Sequence, residues 1–354
     1  MAGAGGLLIR VFFLAATVFS LSGCQAGYYW HLASGHAELM GDREPVEEVL
    51  SRPGLDPETR RRLQQSREML EFAAAELALE PGNAYRDHVA LERDWVVLNL
   101  VAAPEFSLEP HQWCYPLLGC LNYRGFFDPE RAEREAERLR EKGLQVYRGG
   151  AIAYSTLGWF ADPLTSAMLD GDAPWRAELL FHELTHRRFW LAGDTAFNES
   201  LATSVGREGA RRWLAQQGMP EQVAVLERRA RARQALAEMV ADTRERLERI
   251  YESGEDPGTM RARRREVILG LRERFERETE REPALARYRD WIQGPLNNAQ
   301  LNSFSDYNRW VPAFDELLRS CDGRWSCFWG QVERIAALPD EERDAVLENL
   351  LPDD

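Results

Sequence analysis

The run Phe181-His182-Glu183-Leu184-Thr185-His186 constrains this chain more than any other stretch of its 354 residues. It has the form H-E-x-x-H. On a helix, positions i and i+4 lie one above the other, so His182 and His186 share a face and Glu183 sits beside them. The flanking residues read as that helix: Asp172 can cap it, Pro174 suits its first turn, and Leu179, Leu180, Leu184 and Phe189 supply an apolar side. Two imidazoles aimed at one point can hold a metal ion, and the chain must then fold so that another donor reaches the same point. A pair of structural histidines is the other reading of the motif.

A catalytic zinc site takes three protein ligands and keeps a fourth position for water, so the two histidines need one more partner. Glu199 is the candidate. It stands in Asn198-Glu199-Ser200-Leu201-Ala202, which resembles the N-E-x-x-[AS] segment that supplies the third ligand in thermolysin-like proteases and large zinc aminopeptidases. The gap from His186 to Glu199 is shorter than in those families and predicts a tight connection between two helices, with Asp194 and Glu208 as alternative ligands. If His182, His186 and Glu199 hold Zn2+, Glu183 is the expected general base for the attacking water. Tyr154 and Tyr307 are candidates for stabilising the oxyanion.

A net charge of -14 disfavours nonspecific nucleic-acid binding, and 44% hydrophobic residues suffice for a proper core. The arginine-rich stretches alternate with glutamate and read as solvated helix faces. The first residues read as a bacterial export signal, with Arg10 ahead of a short apolar run from Val11 to Ser20. Leu21-Ser22-Gly23-Cys24 resembles the lipobox of bacterial lipoproteins. Residues 1–23 are therefore expected to be removed, leaving a 24–354 domain lipid-anchored at Cys24, facing the periplasm and, from Gln25, at the outer membrane. An exported chain with Cys114-x5-Cys120 and Cys321-x5-Cys327 suggests two disulfides, and pairing within each C-x5-C is the expectation.

The expected fold class is α+β and predominantly α-helical, with the metal-binding helix, a small mixed sheet and a long helical hairpin. Short and long helices are predicted over about 45–50 and 56–79, a buried strand over 95–102, an aromatic loop over 113–127, and a charged helix from Pro129 to Lys142. Gln145–Arg148 and Ala151–Thr156 read as two strands joined by a Gly149-Gly150 turn, and 154–160 as a substrate-binding edge. Apolar steps at Leu236, Val240, Leu247 and Ile250, then Ile268, Leu271 and Phe275, predict a helical hairpin over 221–290. It could be a lid, a partner-binding arm or packing. His31 and His36 are expected to be surface or packing residues.

Several stretches together resemble one family, the exported bacterial proteins described as putative aminopeptidases. They are Ala103–Leu108, Trp113–Cys120, Tyr123–Phe127, Tyr147–Ala151, Ala153–Phe160, the H-E-x-x-H segment, Asp194–Ser200 and Asn297–Ala299. The resemblance implies a zincin-like zinc metallopeptidase hydrolysing peptide amide bonds in the cell envelope. A hydrolase of cell-wall peptides, or a non-catalytic lipoprotein that binds a partner around a structural metal, are the alternatives. No G-x-M-E-N segment is present, so the sequence does not name the group that would receive a free amino terminus.

Overall fold

Asp56, Asp128, Asp172, Asp194 and Asp256 each accept a hydrogen bond from a backbone N–H two or three residues on, and each begins a helix. Four of these helices carry a proline in their first turn, where no N–H is missed. The computed structural model describes residues 26–115, 119–153 and 160–351. Cys24 with the expected export signal, and Tyr154 with the rest of 154–159, lie outside the described residues.

The chain opens with α1 (26–41), β1 (Glu44–Pro45), α2 (Val46–Ser51), α3 (Pro57–Glu76), β2 (Asp87–Val89) and β3 (Val97–Pro104). It continues through β4 (Trp113–Tyr115), β5 (Gly119–Leu121), β6 (Tyr123–Phe126), α4 (Pro129–Glu141), β7 (Leu144–Ala151), β8 (Leu164–Thr165) and α5 (Ser166–Leu169). The long helices follow: α6 (Ala173–Arg188), α7 (Thr195–Gln216), α8 (Pro220–Tyr251) and α9 (Pro257–Arg281). A 3-10 turn (Pro283–Tyr288) leads to α10 (Arg289–Gln293), α11 (Asn298–Asp306), α12 (Val311–Ser320), α13 (Trp325–Ala336) and α14 (Asp340–Glu348). The fold is a predominantly helical α+β structure with small sheets of two or three strands.

In the larger sheet β3 lies between β6 and β7, antiparallel to both. A second sheet runs β1-β2-β8, with β2 and β8 parallel. The aromatic stretch expected as a loop forms β4, β5 and β6, because Cys114 stands opposite Cys120 on β4 and β5 and their disulfide spans the pair. Cys321 and Cys327 are bonded as well, so both local pairings hold. The expected Gly149-Gly150 turn is corrected. β7 runs straight through both glycines, which pair with Asn99 and Leu98 of β3. A tight hairpin turn at this dipeptide needs positive φ, and neither glycine has it, since the β3 ladder holds them extended.

Two cores organise the helices. Phe181 and Leu184 of α6, Phe197, Leu201, Val205 and Trp213 of α7, Met69 of α3 and Phe314 and Phe328 of α12 and α13 form the first. Leu236, Val240 and Leu247 of α8 meet Ile268, Leu271 and Phe275 of α9 in the second, together with Leu301 of α11. Asn298 ties the second core to the sheet: its side-chain amide donates to the carbonyls of Pro104, Glu105 and Ser107, and its oxygen accepts from the Tyr251 hydroxyl. The hairpin of α8 and α9 is thus packed into the molecule along its length. Among the described residues, no helix is long and apolar enough to cross a membrane.

Helices α6 and α7 pack closely at Gly206. A Cβ there would lie 2.6 Å from the Glu178 carbonyl oxygen and 3.2 Å from the His182 Cβ. Both are fixed parts of α6, so the helices must separate to admit a side chain. Gly206→Val should lower stability by about 1–3 kcal/mol, read as a lower urea midpoint. An unchanged midpoint would show that the α6–α7 contact has slack.

Candidate metal centre

Along α6, Ala177, Leu180, Phe181 and Leu184 face the first core, leaving Glu178, His182 and Glu183 on the adjoining side. After Arg188 the chain turns at once into α7. Asn198 clamps that turn: its oxygen accepts from the Leu191 N–H at 2.8 Å and its amide donates to the Leu191 carbonyl at 2.7 Å. The short gap from His186 to Glu199 is therefore closed by a tight connection, as its length predicts. Glu199, in the second turn of α7, is carried back over the two histidines.

The Nε2 atoms of His182 and His186 are 3.1 Å apart, and Glu199 Oε2 lies 3.3 Å from the first and 3.5 Å from the second. Donors held about 2.0–2.1 Å from a tetrahedral ion stand about 3.3 Å from one another, so this triangle has the right size. Glu199 Oε2 is buried and has no hydrogen-bond partner. A buried carboxylate oxygen without a donor is costly, and a cation among the three atoms would remove that cost. The donor set thus fits a metal ion. Among the described residues no fourth His, Cys, Asp or Glu joins the trio.

The alternative ligands are engaged elsewhere. Asp194 caps α7 and accepts from Arg343 at 2.9 Å, while Glu208 pairs with Arg211 and Arg212. His31 accepts from the Phe127 N–H, and His36 lies against the Phe160 ring, so both are packing residues. Tyr307 reaches the centre, its ring stacked on His182 at 6.2 Å between centroids.

Electrostatics separate the two carboxylates. Burial pushes Glu183 up from the ordinary carboxylate range, outweighing the nearby imidazoles. Burial acts the same way on Glu199, but the positive charge of the facing His186 and His182 overcomes it and holds Glu199 at about 2. For His186, burial alone would lower the pKa, yet the negative charge of Glu199, with Glu183 adding, raises it.

The trio lies in a cavity of about 960 Å3. Trp175, Glu178, His182, His186 and Trp190 all line it, so the cavity follows α6. Asn99, Gly125, Gly150 and Ala151 of the three-stranded sheet form another wall, and Tyr28 and Tyr29 of α1 a third. Arg233 of α8 and Arg287 and Tyr288 of the 3-10 turn contribute beside Glu178. Glu178 and Arg233 were not singled out by sequence. The signal for Glu178 was its place four residues before His182, which extends the H-E-x-x-H face by one turn.

Fold and site define a mainly helical protein with a His/His/Glu constellation inside a large cavity. The chain belongs to the family described as "Putative aminopeptidase", whose profile matches residues 27–347. Membership points to an enzyme of the peptidase class with a peptide as substrate. No curated protein and no solved structure matches the chain.

Wild-type protein should carry about one equivalent of metal, and His182→Ala or Glu199→Ala should lose most of it by elemental analysis. Retention in both variants would reject the trio. Metal must displace the proton from His186, whose pKa Glu199 raises. Affinity should therefore fall as pH is lowered through the histidine range, measured by competition with a chelator.

Proposed function

We propose that the protein is a zinc-dependent peptidase that hydrolyses peptide amide bonds in the cell envelope. The observation that carries the reading is the convergence of His182, His186 and Glu199 beside buried Glu183, in a cavity large enough for a peptide. Family membership supports the reaction class. The envelope setting rests on the apolar leader and Cys24, which anchors the domain by lipid in this proposal.

Zinc held by the trio supplies Lewis acidity to the scissile carbonyl and to the attacking water. Glu183 takes the proton released by that water and delivers it to the leaving amine. Its raised pKa suits both halves of the transfer, since a base that is too acidic holds its proton weakly. Glu199, held well below the usual range, stays a carboxylate and remains a ligand. The two acids therefore divide the work by environment. Tyr307, stacked on His182, is the proposed hydrogen-bond donor to the tetrahedral oxyanion. Tyr154 holds the same proposed role as the second candidate from the sequence. A purely structural metal is disfavoured by the cavity beside the trio and by the three-donor set.

Glu183→Gln keeps the shape of the side chain and removes its basicity. It should reduce turnover of unblocked peptides by about 10²–10⁴-fold while metal content stays at the wild-type level. Full activity in this variant would rule out the mechanism.

A further inference from the structure

A peptidase that acts at one end of a peptide must recognise the charge of that end. Among the described residues, the cavity is lined by three carboxylates: Glu183, Glu199 and Glu178. The first two belong to the metal centre. Glu178 has no part in it, yet it lies one helical turn before His182 on the same cavity-facing side, a rise of about 6 Å.

Its two oxygens have different surroundings. Arg233 Nη1 donates to Glu178 Oε1 at 2.6 Å. The second oxygen has no hydrogen bond from any described residue, and it is not among the fully buried polar atoms that lack a partner. One oxygen is therefore fixed and the other is available to a ligand. The negative charge of Glu178 raises the pKa of Arg233, with burial opposing and Tyr288 adding, so Arg233 stays a cation. Arg287, at the same end of the cavity, is exposed and lies over the Tyr288 ring, with no ion pair among the described residues.

The reach also matches. The α-amine of a first residue lies within about 3.6 Å of its carbonyl, the span of one residue, and a charge-assisted hydrogen bond adds about 2.8 Å. The sum is of the same order as the backbone rise of one turn between Glu178 and His182. The geometry points to Glu178, oriented by Arg233, as the receptor for the free α-ammonium of a peptide substrate. Glu178 is then the residue that makes cleavage amino-terminal. This rests on the peptidase reading and gives that reading its substrate class, peptides with an unblocked amino terminus.

The test separates binding from turnover. Leucyl-dialanine amide and its N-acetylated twin are titrated calorimetrically into zinc-loaded protein carrying Glu183→Gln. The free-amine peptide should bind at least about tenfold more tightly, a preference that adding Glu178→Gln should abolish without loss of zinc. Glu178→Gln leaves Arg233 without its partner and risks misfolding. The double change Glu178→Gln/Arg233→Gln leaves no unpaired ion and should lose the preference equally. Equal binding of the twins, binding of neither, or a preference that survives Glu178→Gln overturns the assignment. A preference for a free carboxyl terminus that Arg233→Gln abolishes also overturns it, giving this end of the cavity to the opposite terminus. Absence of turnover in the wild-type protein, with the amine preference intact, rejects the peptidase reading alone.

Discussion

The contact on which this structure depends is the close packing of α6 against α7 at Gly206. Separating the helices by the width of a methyl group would carry Glu199 away from His182 and His186, because Glu199 lies two turns before Gly206 on α7. The contact is held from the apolar side by Phe181, Leu184, Phe197, Leu201, Val205 and Trp213, all almost fully buried. On the polar side, Asn198 fixes the connection through paired hydrogen bonds to Leu191. Hydrophobic burial thus offsets the cost of holding two carboxylates and two imidazoles in a site shielded from water.

The shielding gives the centre its chemistry. In water the two glutamates would titrate alike, but here burial raises Glu183 while the facing imidazoles keep Glu199 low. Neighbours within a few ångströms set the two carboxylates apart. The hairpin of α8 and α9 belongs to the same design. Arg229 pairs with Asp172 at the start of α6 and Arg233 with Glu178 one turn before the histidines, so α8 is bound to α6 at two points. Asn298 binds the far end of the hairpin to the strand β3 through the Pro104–Ser107 carbonyls. Of the hairpin's two helices, α8 reaches the cavity through Arg233.

Local signals were legible wherever a residue's role depends on its neighbours in sequence. Asp172 and Pro174 start α6 as expected, and the apolar steps of α8 and α9 mark their buried faces. The i, i+4 histidines are the strongest case, since helix geometry alone puts them on one face. Signals failed where a partner strand overrides local preference. Gly149-Gly150 favours a turn in isolation, but pairing with Leu98 and Asn99 keeps it extended. The stretch around Cys114 and Cys120 has little periodicity, and its strands form because the two segments and the disulfide hold one another in register.

The sequence by itself determined the histidine-bearing helix, its cap and the proximity of Glu183, because these follow from spacing along one chain segment. It put Glu199 first as the third donor and kept Asp194 and Glu208 as alternatives, since each is in reach of a helix that turns back. Tertiary structure engages the alternatives elsewhere, Asp194 capping α7 and binding Arg343 and Glu208 binding Arg211 and Arg212, while Glu199 faces the imidazoles. Tertiary structure alone placed Arg233 against Glu178, 55 residues earlier in the chain. Periodicity records which face of a helix is buried, whereas a contact across such a separation is set by how two helices cross.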